Sequence, residues 1–482
     1  MHTTSPGPAR GSDAHVVIVG ASMAGLAAAG VLAPRVGTIT IVERDDLGIG
    51  RDDGAVAIDD GRSARPAIPQ GRHAHALLAA GRDALERVFP GITDDVVAAG
   101  GLVVDSAANC IWYQLGGRRV CYPSSVTALG VSRWLLEQRV RARVRALSNV
   151  AVVDGAVVRS LRFAPDGSAV TGVDIEREGD FTEVHADLVV DAGGRNAPLL
   201  EQVAAAGYPS VPVDRVSIDL AYASRVVDRR PADLGGADYL VAMASPPYGR
   251  GGIVLPIEGD RWIVTLNGAH GDPPPTDPDG FEAFARTIAV PELAELIAGA
   301  PPDHAVAHRF PASQRRRLER VTRHPAGYVV VGDAVCSFNP AYGQGMSSAA
   351  LQAERIGAAV DRHGLASAAM PRAAYRAITK VVDKPWRIAV GADFVHPKTT
   401  GPKPPGTDLV NRYMKVVLRA CHVSPVVNEQ MVRVQNLLDP PTSLMRPRLA
   451  VQAVLAARRA ARADIGVRSS EGGRARDPLR TH

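Results

Sequence analysis

"VVIVGASMAGLAAAGVLA", Val16 to Ala33, is eighteen residues of almost pure apolar and glycine content near the start of the chain. A secretory signal needs basic residues just ahead of its apolar run and a small-residue cleavage site behind it, whereas only Arg10 precedes this one. A membrane span needs about twenty residues richer in Leu and Ile, and Gly20, Ala21, Ser22, Gly25 and Gly30 suit a bilayer poorly. The remaining parse is a buried strand, "HVVIV", a tight turn, and a helix from about Ala24. The turn reads G-x-S-x-x-G. Gly20 permits the sharp reversal and Gly25 lets helix and strand pack closely, while Ser22 replaces the middle glycine that would let a pyrophosphate reach the backbone. The next strand, "GTITIVERD", brings Glu43 about twenty residues beyond Gly20, where a carboxylate meets a ribose hydroxyl. Strand, turn, helix, strand and acid together predict a Rossmann-type dinucleotide-binding unit.

The 482 residues, 46% of them hydrophobic, are enough for two or three domains with a large core. Fifty arginines accompany only five lysines, yet the formal charge is +5, too mild to draw the chain onto nucleic acid or anionic lipid by electrostatics alone. Neither nucleic-acid binding nor membrane contact is therefore expected. Cys110, Cys121, Cys336 and Cys421 show no C-x-x-C spacing, which argues against a zinc site or redox pair and for a reducing, cytoplasmic location. In "RHAH", His73 and His75 stand two apart, poor spacing for two ligands on one helix face, so no metal is expected.

The choice between FAD and NAD comes from the stretch at 328–356, "YVVVGDAVCSFNPAYGQGMSSAALQAERI". It reads as a buried strand, Gly332-Asp333, a loop with Pro340, and a helix starting near Gly345. Asp333 at a strand end can accept hydrogen bonds from a polyol such as ribityl. The "PAYGQGM" turn aims helix N-terminal N–H groups at whatever lies before it, which suits the anion of a reduced flavin. With its Gly-Asp and Pro-x-x-Gly-Gln-Gly, the sequence resembles the flavoprotein monooxygenases of the aromatic-hydroxylase fold. "SRWLLEQRV" resembles that family's helix whose leading arginine, here Arg133, reaches the FAD. "ADLVVDAGGRNAPL" resembles its strand and turn against flavin and pyridine nucleotide, with Gly193-Gly194 in place of Asp-Gly, which weakens the case for direct NADPH docking. "IPQGRHAHALL", "GDAVCSFNPAYGQGMSSAA" and "VDKPW" are similar to a narrower group, bacterial FAD-dependent epoxidases of polyether biosynthesis related to squalene epoxidase.

The resemblance implies an α/β fold: a Rossmann-type FAD-binding domain interleaved with a mixed β-sheet substrate domain, plus a helical C-terminal region. The FAD domain is expected from segments 14–84, 127–200 and 318–365, the substrate domain from 85–126 and 201–317, the helical region at 366–465, and disordered tails at 1–13 and 466–482. It implies FAD held by Gly20, Ala21, Ser22, Met23, Ala24, Gly25, Glu43, Arg44, Arg72, Arg133, Gly194, Gly332, Asp333, Pro340, Gly343, Gly345 and Met346. Electrons would come from NAD(P)H directly or through a separate flavin reductase, and one oxygen atom of O2 would enter a small apolar substrate, as an epoxide. Phenol hydroxylation is the alternative; it would favour a base, with His73 and His75 the candidates. A flavin-dependent double-bond reductase and a redox-inactive scaffold also stay open. A flavin halogenase would need an early lysine and Trp-x-Trp; no lysine precedes Lys380.

Strands are expected at "RVSIDLAYASRVV", "DYLVAMA", "GGIVLPI" and "RWIVTLNG", with Glu258 to Asp260 turning the last pair, and a helix over about 281–300. "PKTTGPKPPGT" reads as an exposed linker, and "LMRPRLAVQAVLAARRAARA" as a helix packed on the cofactor domain or, alternatively, a membrane-surface or partner helix. Arg315, Arg316, Arg317, Arg320 and Arg323 read as a solvated helix face, or as a docking surface for NADPH or a reductase.

Overall fold

The computed structural model describes residues 11–48, 65–244 and 249–472, with backbone alone at 11–12 and 462–472. The amino-terminal apolar run forms the strand Gly11–Val19, in which Val16, Val17 and Ile18 are fully buried, as a strand covered on both faces requires. It is the middle member of a five-stranded parallel sheet ordered Tyr328–Val330, Leu188–Asp191, Gly11–Val19, Val36–Val42, Val150–Val153. The chain leaves the middle strand through the helix Met23–Leu32 to Val36–Val42 on one side; the strand on its other side is Leu188–Asp191. A crevice for a ligand opens at such a switch point, beyond the carboxyl ends of the strands.

Helix Met23–Leu32 is buried almost all round because the late helix, Gly345–His363, packs against its outer side. The approach is close: a Cβ on Gly357 would sit 2.4 Å from Val31 Cγ1. This contact joins the two dinucleotide-type motifs, far apart in sequence, into one layer.

The second layer is an eight-stranded mixed sheet, ordered Cys336–Ser337, Val306–Arg316, Val213–Asp228, Arg261–Ala269, Arg250–Ile257, Tyr239–Ala242, Cys110–Gln114, Gly117–Arg118. All four strands read from the sequence are present, and Gly259 and Asp260 take left-handed conformations in the turn between the last pair (φ 73° and 49°). Successive side chains point to opposite faces. Val264 and Leu266 pack against Phe281, Phe284 and Leu293, whereas Thr265 lies on the face toward the crevice. The stretch expected as one helix over 281–300 is two, Pro278–Arg286 and Pro291–Ala298, because Pro291 starts a new helix and Val290 before it is extended.

Two further expectations are corrected. Arg315, Arg316 and Arg317 are no solvated helix face, whereas Arg320 and Arg323 are exposed. Arg315 and Arg316 end the strand Val306–Arg316, and Arg315, 1% exposed, pairs with Asp383. Arg316 donates to the carbonyls of Ala334, Arg195 and Asn196, and Arg317 pairs with Asp214, so these three fasten elements together. Second, among the described side chains of the last helix, Pro447–Gly472, Ala453 and Ala456 pack on Val417, Met431 and Leu444 of its C-terminal neighbours, where the cofactor domain was the expected partner, and Val451 and Leu455 are exposed. Of the stretches expected as tails, 1–10 and 473–482 lie outside the described residues, the first strand being assigned from Gly11 and the last helix to Gly472. Among the described residues no helix is long and apolar enough to cross a membrane.

Candidate functional site

One cavity of about 940 Å³ runs between the two layers. Its walls include Gly20, Ser22, Met23 and Ala24 from the amino-terminal turn and Gly332, Asp333, Pro340, Gly343, Gly345 and Met346 from the late one. The two turns touch: a Cβ on Gly332, whose φ is +70°, would lie 2.7 Å from Ala24 Cβ. Glycine is required there for conformation and for space alike. Gln352, about two turns into the late helix, holds the Gly332 N–H at 3.0 Å and is itself braced on Ser348.

Both turns present helix N-termini to the cavity. The first-turn N–H groups of a helix have no intrahelical partner and favour anions. Neither Ser22 nor Gln344, at the two N-caps, closes its helix with a side-chain bond. The Ser22 hydroxyl instead accepts from Arg133 at 2.8 Å, which explains how a serine is accommodated at the pattern's middle position. Arg133 leads the helix Arg133–Arg145, capped by Ser132, whose hydroxyl accepts from Leu135 N–H. Added Cβ atoms on Gly343, Gly345 and Gly194 would meet nothing within 4 Å, so the backbone there borders open space. Two anion-suited helix ends, a buried arginine between them and glycine backbone facing the cavity fit a flavin dinucleotide.

Glu43 and Arg44 also line the cavity. Glu43 is 3% exposed; its oxygens accept from Ala21 N–H (2.7 Å), Asp45 N–H (3.0 Å) and Arg65. Burial works against its charge, but Arg65 and these donors hold the carboxyl below the ordinary value. About one of its four lone-pair sites is left for a ribose. Arg65 belongs to no sequence motif. It ties Glu43, Asp45 and Glu137 together and donates to the Ala21 carbonyl, and burial, which would weaken its charge, is outweighed by the carboxylates. Ala21, Gly25 and Arg72 do not line the cavity. Ala21 orients Glu43, and Gly25 packs under the turn, where a Cβ would lie 1.9 Å from the Gly20 carbonyl oxygen.

Asp333 stands beside Gly332 with its carboxyl raised, chiefly by burial and against the pull of Arg133 and Arg195. The Gly193-Gly194 turn is fastened by Asp191, which accepts from Gly193 N–H and Tyr328 Oη at 2.8 Å each; a Cβ on Gly193 would crowd that carboxylate at 2.8 Å.

The other half of the cavity is different in kind. Leu220, Tyr222, Leu255 and Phe310 form an apolar wall from the eight-stranded sheet. His73 and His75 both line the cavity. His73 is 2% exposed, its Nδ1 2.7 Å from Ser224 Oγ and its ring edge-on to Tyr222 at 4.5 Å. Burial first, then His308, His75 and Arg72, push its pKa down to about 3; burial and Arg133 push His75 to about 4. Both rings are neutral at pH 7 and neither is poised to gain a proton there. Asp393, the last residue of the helix Ala369–Asp393, lines the cavity beside the late turn. Its Oδ1 accepts from Asn339 Nδ2 (2.7 Å) and Tyr342 Oη (3.3 Å), and burial pushes its pKa up to about 7. Neither Asp393 nor Ser224 belongs to a motif, so nothing in the sequence marks them.

No protein-family model matches the chain. Solved structures share its fold. PqsL, a probable FAD-dependent monooxygenase from Pseudomonas aeruginosa, is 18% identical with a TM-score of 0.57 over 79% of this chain and 97% of its own. The flavin-dependent brominase Bmp2 is 15% identical with a TM-score of 0.57 over 93% of this chain and 100% of its own. Protein Rv3254 of Mycobacterium tuberculosis is 34% identical over 443 residues, 88% of this chain and 90% of its own length. The chain therefore belongs to the family of Protein Rv3254, built on the fold of the flavin-dependent monooxygenases.

Proposed function

We propose that the chain is an FAD-dependent monooxygenase that inserts one oxygen atom of O2 into a small, largely apolar molecule, by epoxidising an alkene of a polyketide or terpenoid-type natural product. The observation that carries this reading is the contact of the two glycine turns, Gly332 against Ala24, on a single cavity with an apolar far wall. FAD, when bound, supplies the activation of O2 and the transfer of one oxygen atom. The chain's residues do the rest. The first helix end and Arg133 would hold the phosphates, Glu43 the ribose, Asp333 the ribityl chain, and the late helix end the flavin ring. Leu220, Tyr222, Leu255 and Phe310 exclude water and position the alkene. Epoxidation requires no side-chain base, consistent with two histidines that stay neutral. NAD(P)H supplies the electrons, directly or through a separate flavin reductase.

Phenol hydroxylation is the second reading, favoured by one observation: His73 Nε2, on the cavity wall, has no hydrogen-bond partner and is available to bond a phenolic oxygen. Incubation of the FAD-loaded protein with NADPH, a flavin reductase and a panel of polyenes and phenols under ¹⁸O₂ tests both. One heavy atom in an epoxide is the expected result, and in a ring hydroxyl it supports the second reading. Turnover without label, or product formed without O2, overturns the proposal.

A further inference from the structure

His73 and His75 belong to one short loop, but their hydrogen bonds force opposite tautomers. His75 Nδ1 lies 2.8 Å from the His73 carbonyl, which can only accept, so Nδ1 carries the proton and Nε2 is left as an acceptor. His73 ends a chain of hydroxyls instead. The Ala74 N–H donates to Thr265 Oγ1 at 3.1 Å, Thr265 Oγ1 is 2.5 Å from Ser224 Oγ, and Ser224 Oγ is 2.7 Å from His73 Nδ1. Ser224 and Thr265 face each other on paired strands, 3% and 7% exposed.

The chain can run in two directions. If His73 Nδ1–H donated to Ser224, only one of the two hydroxyls could donate to the other, and the proton of the second, Thr265 or Ser224, would have no acceptor. A buried unpaired hydroxyl proton is costly. In the other direction every group is used once. Ala74 N–H donates to Thr265, Thr265 to Ser224 and Ser224 to His73 Nδ1, each bond polarising the next. That leaves the proton of the neutral ring on Nε2, the one polar atom of the chain without a partner, on the cavity wall beside Tyr222 and His308.

We propose that His73 is a substrate-binding residue whose Nε2–H donates a hydrogen bond to an oxygen of the substrate, so that the substrate class is an oxygenated one, bearing a ketone, quinone or phenolic oxygen beside its apolar body, and not a bare hydrocarbon. This assignment rests on reading the cavity as the oxygenation site. It makes a serine–threonine pair 150 residues and more from the histidine the determinant of specificity, by fixing which ring nitrogen holds the proton.

Two measurements on the FAD-loaded protein test it. ¹⁵N-imidazole spectra at pH 7 should show His73 as the Nε2–H tautomer, with the Nδ1–H share rising in Thr265→Val; an Nδ1–H ring or an imidazolium in the unmodified protein overturns the assignment. In calorimetric titration 1-tetralone should bind at least about tenfold tighter than tetralin, the same carbon frame without the carbonyl, and the preference should fall to about twofold or less in His73→Phe. Equal affinities, failure of the ketone to bind, or a preference that survives His73→Phe overturns it. A protein that takes up no FAD would overturn the monooxygenase reading, whereas a yellow protein without ketone preference overturns this inference alone.

Discussion

The two halves of the cavity are built on different principles. The cofactor half is made of backbone and charge: two helix ends, glycines at close approaches, and Arg65 holding Glu43, Asp45 and Glu137 in one buried cluster. The half proposed for the substrate sets polar groups in an apolar wall, with the pKa values of both histidines pushed well below neutrality, and Asp393 beside the late turn has its own pushed up to about 7. The first half presents helix ends and charge to an anion; the second presents a largely apolar surface with isolated hydrogen-bonding groups. Substitutions in the first should therefore act on FAD binding and folding, and those in the second on selectivity and pH response.

The largest effect is expected at the contact between the turns. Gly332→Val places a branched side chain at a φ of +70° and against Ala24, so the purified protein should lose its flavin absorbance entirely. A variant that still carries about one FAD per chain breaks the comparison. Next is Arg65→Ala, which leaves three buried carboxylates without their shared cation. Loss of one partner of a buried pair costs about 3–5 kcal/mol, readable in chemical unfolding. The pH response follows from Glu43. Its carboxyl is held below the ordinary 4.5, so its contribution is present above that pH and lost as pH falls through the folded value. Arg65→Ala removes the largest influence that lowers that value and should shift acid unfolding to higher pH.

Asp393 gives the opposite sign and a smaller effect. Its folded pKa is raised from 3.8 to about 7, so stability is full below the unfolded value and is lost as pH rises through 7. Asp393→Asn should flatten this profile, leaving the variant roughly 2–4 kcal/mol more stable relative to the parent at pH 8 than at pH 4. A parent profile flat between those limits contradicts the assignment. The smallest change is Ser22→Gly, which restores the full glycine pattern and removes only the bond from Arg133. FAD affinity should move by less than about tenfold and stability by less than about 1 kcal/mol, measured by fluorescence titration and thermal unfolding.

What could be read in the chain before any coordinates follows the same division. The turns at Gly20 and Gly332 announce themselves because their chemistry is backbone geometry, which leaves glycines at fixed offsets between an apolar strand and a helix. Helix Gly345–His363 starts where its glycine turn ends, and the four strands of the substrate sheet follow from alternation. The rest depends on partners distant in sequence. Arg65 meets Glu137 across 72 residues and His73 meets Ser224 across 151, and in a chain this rich in arginine no single one stands out. The same abundance led the cluster at Arg315–Arg317 to be read as solvated, when its partners Asp383 and Asp214 come from other elements. Asp393 carries no local signal; only burial of a helix end makes it unusual.

The central claim, that both turns grip one molecule, is tested most directly by amide hydrogen exchange on the protein with and without FAD. The account predicts that one equivalent of FAD slows exchange together at Ser22–Gly25 and at Gly343–Met346. Protection confined to either turn, or absent from both while FAD is bound, would contradict it.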